Sequence, residues 1–481
     1  MTARTSNHPH PVSEGVPFDD DLEGPSSSVS CAIHQLPSEL LLLVFEAAKE
    51  ITHETRKEGK KTRTRERPVQ VTASHVCRYW RAIALTAPSL WTTINIDFSL
   101  EVVPFARDYT PLFARVRTYL ARSGDLAIDI RIVHELDDQV SIAVFNSLLS
   151  MLLSHLRRWS TFKFISGDHF IRREVIKSLS STSLPSAPKL KVLELSRGFA
   201  SFMDKRWFHD NVLCMEIDAP QLISLKLGES LPQCWRSLAA STTTLANLHV
   251  SCHVMRTAES WEELIDILGM LRSLKQLSLC NEASDNPPTD NSRLTPATLP
   301  LLRRLSLSHI SPSRTTYLFQ RLSLPNLSKL ELVFCVSVPA WFTTRQDHQS
   351  PITPSPAHHR GVQPLLPKLT DLTLLGMTDV NAHDVGWLYT HVPSVKRLCI
   401  NSRVKMFRRT FLRQLLPAPA PAIGGPPEDV SRPPLPQLRT LHLKGVDGTF
   451  DDLIREIERT RLAAGIPLLV IADAIGHEPW G

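Results

Sequence analysis

Cysteine is scarce: the chain has eight in 481 residues, and none forms a C-x-x-C pair. That excludes a disulfide-stapled scaffold and a zinc ribbon, and it fits a chain whose thiols stay reduced in cytoplasm or nucleus. Long apolar runs are missing too. The longest extends only from Leu40 to Phe45, far short of the ~20 residues of a membrane span, so no integral membrane protein is expected. The first residues, MTARTSNHPHPVSEG, have no apolar stretch that would read as a secretory signal. Catalytic signatures are equally absent. There is no G-x-S-x-G, no P-loop, no G-x-G-x-x-G and no H-E-x-x-H. The 19 histidines are scattered, and the neighbours Cys252 and His253 lack the further ligands of a zinc site. A non-catalytic protein without metal or cofactor is expected.

Charge is uneven rather than extreme. The net is +6, but His53–Arg67 alone holds seven Lys/Arg against three Glu, while residues 1–30 hold one Arg against five acids. The basicity is thus a local event and not a footprint spread over a face, so neither nucleic acid nor membrane is expected as a partner. The stretch 53–67 reads as a solvated loop, with nuclear targeting or an anionic surface as its functional rival.

What the chain does have is leucine: 68 residues, 53 of them after position 150. Residues 1–30 are dominated by Pro, Ser, Gly and Asp and read as a disordered tail. From 33 the pattern IHQLPSELLLLVFEAAKE predicts an amphipathic helix of about three turns, with Pro37 at its start and Leu40, Val44 and Ala48 on one face beside Leu41 and Phe45. A second helical block is predicted over 69–86, with Val76, Trp80 and Ala84 on one face beside Ile83. Pro88 ends it, and TTINIDF follows as a strand. LFARVRTYLARS and SIAVFNSLLSMLLSHL read as helices that flank the alternating strand LAIDIRIV.

The motif L-x-x-L-x-L then recurs, beginning at 190, 222, 245, 274, 302, 327, 369, 395 and 438, with WSTFKF at 159 as an aromatic version. Two long gaps hold Pro-rich polar insertions, 341–367 and 417–436; without them the period lies near the roughly 20–29 residues of a leucine-rich repeat. In a strand alternate side chains share a face, so the last two apolar positions of each motif enter one core. No unit can bury its own leucines, so the units must stack. SWEELIDILGML (260–271), DVGWLYTHV (384–392) and KMFRRTFLRQLL (405–416) look like connecting helices. The expected fold class is α/β: parallel strands on a concave face and helices on a convex one. At this point the chain resembles a leucine-rich-repeat protein over 96–475. It departs from the family three residues after the last Leu, where Asn or Cys is usual. Those places hold Gly198, Ser230, His253, Glu282, Ile310, Cys335, Met377, Arg403 and Val446, and only Cys335 conforms.

The block 31–95 resembles an F-box, in the divergent form common in fungal (basidiomycete-type) families. Leu36-Pro37-x-Glu39-Leu40, Val44-Phe45, Val76-Cys77-Arg78-x-Trp80-Arg81 and Pro88-x-Leu90-Trp91 carry the resemblance, and the basic insertion 53–67 departs from it. The resemblance implies a three-helix module that docks on the Skp adaptor of a cullin-RING ubiquitin ligase. The implied adaptor-binding residues are Leu36, Pro37, Leu40, Leu41, Val44, Phe45, Val76, Cys77, Trp80, Leu90 and Trp91. A bundle this small cannot internalise them all, so part of this surface is expected to seek a partner.

Together the two resemblances imply a substrate receptor, with the F-box holding the adaptor and the repeats holding a protein target. Candidate target-binding residues on the concave face are Glu194, Lys226, His249, Arg304, Lys329, Glu331, Asp371, Arg397 and His442. The 18 positions flanking the second Leu of the nine motifs hold four Lys/Arg and three acids, a near balance that points to a mixed protein surface rather than a strongly acidic ligand. Ser350-Pro351, Thr353-Pro354 and Ser355-Pro356 read as a proline-rich linker that phosphorylation would charge. The rival reading is an interaction scaffold outside the ubiquitin system, capped by a degenerate F-box.

Overall fold

In the computed structural model the leucine spacing resolves into strands and the N-terminal apolar block into helices. The structure describes residues 32–57, 68–98, 108–134, 141–180, 186–197, 217–228, 235–251, 258–280, 296–333, 366, 368–376, 385, 388–389, 392–401, 405–416, 434–446 and 450–474. The tail 1–30, nearly all of both Pro-rich insertions, the Ser/Thr-Pro group, and every unusual repeat position except Ile310 and Val446 lie outside these residues. The chain divides into two compact units, Met1–Thr86 and Ala87–Gly481.

In the first unit a short 3-10 turn, Ala32–Gln35, leads into helix α1, Ser38–Lys57. The Pro37 carbonyl accepts the amides of both Leu40 and Leu41, at 3.1 Å each, and so starts the helix. The helix is longer than the predicted three turns and runs into the basic stretch. His53-Glu54-Thr55-Arg56-Lys57 contains nothing that breaks a helix, and Glu, Arg and Lys propagate one well. Leu41 and Phe45 are inside, while Leu40 and Val44 are exposed. The second predicted helix is two, α2 (Val69–Ala73) and α3 (Arg78–Thr86). Ser74 turns its hydroxyl back to the Val71 carbonyl at 2.7 Å, and the Cys77 thiol accepts the Trp80 amide at 3.4 Å, as a cap at the start of α3. Phe45 and Trp80 meet edge to face with centroids 5.0 Å apart, and the Tyr79 hydroxyl donates to the Leu36 carbonyl at 3.1 Å, so α1 and α3 are joined at both levels.

Among the described residues the second unit is built on one parallel sheet of 13 strands, open at both ends, whose strands lie side by side in chain order. The strands are β1 (Thr93–Asp97), β2 (Ile128–His134), β3 (Trp159–Ser166), β4 (Val192–Arg197), β5 (Ser224–Gly228), β6 (Asn247–Ser251), β7 (Gln276–Cys280), β9 (Arg304–Ser308), β11 (Lys329–Val333), β12 (Asp371–Leu375), β13 (Arg397–Asn401), β14 (Thr440–Val446) and β15 (Leu469–Ala474). β8 (Ala297–Thr298) and β10 (Leu322–Ser323) pair separately. All ten motif segments are strands of this sheet. β15 escaped the pattern because LLVIADA lacks the repeated leucine spacing.

A parallel sheet needs crossover connections. Helices fill several of them: α4 (Thr110–Arg122), α5 (Ile142–Leu153), α6 (His169–Leu179), α7 (Arg236–Ser241), α8 (Ala258–Met270), α9 (Pro312–Arg321) and α10 (Lys405–Arg413), with α11 (Asp451–Ala463) before β15. Of the segment 384–392, Val385, Leu388 and Tyr389 are helical and buried. Burial alternates along the strands, so the two motif leucines on each strand are inside: Leu277 and Leu279, Leu305 and Leu307, Leu330 and Leu332, Leu372 and Leu374 are all 1% exposed or less. Each such leucine stabilises the unit by about 1.5–3 kcal/mol.

In most of the motifs the first apolar residue closes a turn. The Leu190 amide donates to the Ala187 carbonyl at 3.1 Å, Leu222 to Ala219 at 3.1 Å, Leu302 to Leu299 at 3.3 Å, Leu327 to Leu324 at 3.3 Å, Val395 to Val392 at 3.2 Å and Leu438 to Leu435 at 3.0 Å. In each of these turns proline sits second (Pro188, Pro220, Pro300, Pro325, Pro393, Pro436), where its fixed φ suits the bend. The repeat is therefore longer than its leucines suggest, with a proline turn ahead of the strand.

The core changes character along the sheet. In the early strands it is aromatic. Trp159 and Phe162 stack at 4.4 Å, and Phe145 lies 5.4 Å from Phe164 and 6.3 Å from Phe98. From β4 onward leucine takes over.

Candidate functional site

On the helical unit, an exposed apolar stripe runs along α1. Leu40, Leu43, Val44 and Ile51 are about half exposed or more, at 48–63%. Their spacing places them on one helical face, beside the buried flank of Leu41 and Phe45. Pro37 is exposed at the start of this helix, and Val76 is 54% exposed in the turn before α3. Leu36, Cys77 and Trp80 are half-buried.

Four of the residues expected to touch an adaptor are placed otherwise. Leu41 and Phe45 are core of the helical unit. Leu90 and Trp91 lie on a 3-10 turn, Pro88–Trp91, within the second unit. There Trp91 meets Tyr119 edge to face at 5.1 Å, and the Arg122 guanidinium sits 4.4 Å over the Trp91 ring. The side chains of these four are enclosed. Leu43 and Ile51 were not expected. The run LLLLVF is apolar on every side of a helix, so periodicity could not choose its outward face.

On the strand unit, the nine candidate target-binding residues fall into two adjacent rows. Parallel register aligns Lys163, Glu194, Lys226, His249, Ser278, Ser306, Glu331, Thr373, Cys399 and His442 in one row. The other row, nearer the N-terminal edge of the sheet, holds Gln276, Arg304, Lys329, Asp371, Arg397 and Thr440. All nine residues belong to the open face of one sheet, but they do not form one cluster. Glu194 and Glu331 are separated by five strand steps.

Two local ion-pair systems stand out. Glu194 pairs with Lys226 at 2.8 Å and with Lys163 at 3.8 Å, and accepts the Ser196 hydroxyl at 3.1 Å. Burial pushes its carboxyl up, but the Lys226 hydrogen bond and both lysine charges outweigh that and hold it below the ordinary value. Beside it, burial and the Lys226 charge lower the affinity of His249 for a proton, against the opposing pull of Glu194. The second system is Asp371 with Arg397 and the Thr370 hydroxyl, the latter at 2.7 Å. Burial again raises the carboxyl, and Arg397, Thr370 and Lys329 outweigh it and lower it. At the far end of the row His442 Nε2 lies 2.6 Å from Asp473 Oδ2.

Among the described residues no group of three His, Cys, Asp or Glu side chains converges to hold a metal ion. Nor is any described helix long and apolar enough to cross a membrane.

The F-box-like family matches residues 33–97. The matched range covers the whole helical unit from Ile33 and continues through the Pro88–Trp91 turn and β1. This segment is an F-box-like domain, which suggests a ubiquitin-ligase adaptor or a protein-interaction role, and F-box domains generally bind the Skp adaptor. No curated protein matches the chain.

Proposed function

We propose that this protein is the substrate-receptor subunit of a Skp–cullin–F-box ubiquitin ligase. In this reading the F-box-like domain docks the Skp adaptor, and the strand unit, read as a leucine-rich-repeat solenoid, recruits a protein target. The chain performs no chemistry itself; it raises the effective concentration of a target lysine beside the conjugating enzyme. The observation that carries the reading is the exposed stripe Leu40, Leu43, Val44 and Ile51 on the F-box-like domain. A helix that shows apolar side chains on both faces has one face left for a partner. The repeat reading is supported by the sequential parallel strands with a recurring proline turn and leucine pair.

The test is co-purification of the full chain with the Skp adaptor. The wild-type chain is expected to form a stable complex. Leu40→Asp with Val44→Asp is expected to abolish it while leaving the circular dichroism spectrum unchanged, since neither side chain is in the core. Leu36→Ala with Pro37→Ala is expected to weaken it. A complex indifferent to the aspartate pair would overturn the assignment of this face, and no complex at all would favour a scaffold outside the ubiquitin system.

A further inference from the structure

The N-terminal edge of the sheet changes charge between its two halves. In each motif two residues lie between the first and second leucine. Over β3–β6 these are Ser160, Thr161, Lys191, Val192, Ile223, Ser224, Ala246 and Asn247, with a single charge. Over β7, β9, β11, β12, β13 and β14 the same places hold seven Lys/Arg (Lys275, Arg303, Arg304, Lys329, Lys396, Arg397, Arg439) and one acid, Asp371, for a net of +6.

The fold makes these residues neighbours. The register sets Gln276, Arg304, Lys329, Asp371, Arg397 and Thr440 side by side. One residue earlier, the Arg303 amide donates to the Lys275 carbonyl at 2.9 Å, Lys396 to Thr370 at 2.8 Å and Arg439 to Lys396 at 2.9 Å, so the alignment continues past the strand ends. Lys329 is half-buried and the other six cations are exposed. Among the described residues an acid pairs only with Arg397, through Asp371. Like charges so close repel one another, and six strands at ~4.8 Å spacing give this lip a length of roughly 24 Å.

We infer that this basic lip binds an extended Asp/Glu-rich segment of a protein partner, laid across the strands. The inference rests on the target-recruiting role proposed for the strand unit and gives that target a chemistry. At about 3.3 Å per residue, some seven extended residues span the lip. The neighbouring row offers Ser278, Ser306 and Thr373, small hydroxyl side chains that leave room for a peptide and can hydrogen-bond its backbone, with Glu331 as its one acid across these six strands. The cations are spread along the strands rather than gathered at one point, which fits a run of carboxylates better than a single phosphate dianion. No Phe, Tyr or Trp stands in either row of these six strands, so a nucleic-acid single strand finds no stacking platform. The balance counted at the positions flanking the second Leu hid this lip, because it left out the residue one place earlier.

The test is fluorescence anisotropy with the full-length chain and four labelled probes: an alternating Glu–Gly peptide, an alternating Lys–Gly peptide, a Ser–Gly peptide with one phosphoserine, and single-stranded oligouridine. The Glu–Gly peptide is expected to bind best and to weaken as salt rises. Arg303→Glu with Arg304→Glu is expected to weaken it about tenfold or more, and Lys396→Glu with Arg439→Glu likewise. Arg303→Gln with Arg304→Gln is expected to weaken it less, and Lys191→Glu in the other half to leave it unchanged. Thermal melts of the variants should match the wild type, since the substituted side chains are exposed. No Glu–Gly binding, binding indifferent to the lip reversals, or tighter binding of the phosphoserine peptide or oligouridine would overturn the inference. If the chain captures the Skp adaptor and fails here, the inference falls and the ligase reading stands. If it binds the acidic peptide and fails to capture the adaptor, the reverse holds.

Discussion

The two units of this chain solve opposite problems with their apolar residues. The strand unit encloses most of them: its motif leucines and the aromatic group around Phe164 are inside, Leu469 and Ile471 of β15 stay exposed, and charge is left on the open face. The helical unit cannot. One long helix packed on two short ones has too little interior for the apolar content of LLLLVF, so Leu41 and Phe45 go in while Leu40, Leu43 and Val44 stay out. In the proposed reading, surplus apolar surface marks the adaptor face of the small unit, whereas surplus charge marks the target face of the large one.

The largest effect that would sharpen this contrast is on the strand core. Phe164→Ala empties a fully buried aromatic site and is expected to destabilise the strand unit by about 3–5 kcal/mol, read as the shift in its denaturant midpoint. Leu305→Ala in the leucine half should cost about 2–5 kcal/mol. Neither is expected to change adaptor capture measured below the unfolding transition. If either abolished it, the two surfaces would not be independent.

Arg461 comes next. It is fully buried on α11, and its guanidinium donates to the carbonyls of Pro434 at 2.9 Å, Leu435 at 2.9 Å and Leu438 at 3.1 Å, fixing the proline turn ahead of β14. Arg461→Ala strands those carbonyls and is expected to cost about 2–3 kcal/mol. Hydrogen exchange should rise in residues 435–446, and the early strands should be unaffected.

Glu194→Gln is a smaller perturbation. It removes the anion shared by Lys163 and Lys226, both part exposed, so the loss of stability should stay below about 1 kcal/mol. The substitution leaves two unneutralised lysines on the early half of the face. Binding of the Glu–Gly peptide should stay unchanged, because Glu194 on β4 lies three strand steps from β7, where the lip begins; a marked change would count against placing the peptide on the lip.

The smallest effect is the pH dependence from His249. The folded chain binds this proton less readily than the unfolded chain, because of burial and Lys226. As pH falls below about 6.5 the unfolded state therefore gains the proton first, and stability is lost. Glu194, whose pKa is lowered, keeps its charge across this window and contributes no slope there. The thermal midpoint should drop modestly between pH 7.5 and 5.5, and His249→Gln should flatten that part of the drop.

Much of this architecture is legible in the sequence, and the parts that are not have physical causes. The ten motif strands could be read because alternation of leucine with polar residues fits only a half-buried strand. β15 could not, because its apolar residues are contiguous. The outward face of α1 could not, because every side of Leu40–Phe45 is apolar and only tertiary packing decides between them. The break between α2 and α3 rests on a serine and a cysteine turned back to the main chain, a local competition that apolar spacing does not report. The basic lip was visible as residues but not as a surface, since Lys275 and Arg303 sit ahead of their strands and become neighbours only when the turns align.

The most direct test of the central claim is hydrogen–deuterium exchange of the full chain with and without the Skp adaptor. The account predicts that protection on complex formation concentrates in residues 38–51 and around Val76, with the strand residues of β4–β14 unchanged. Protection on the open face of the sheet, with α1 unchanged, would contradict it.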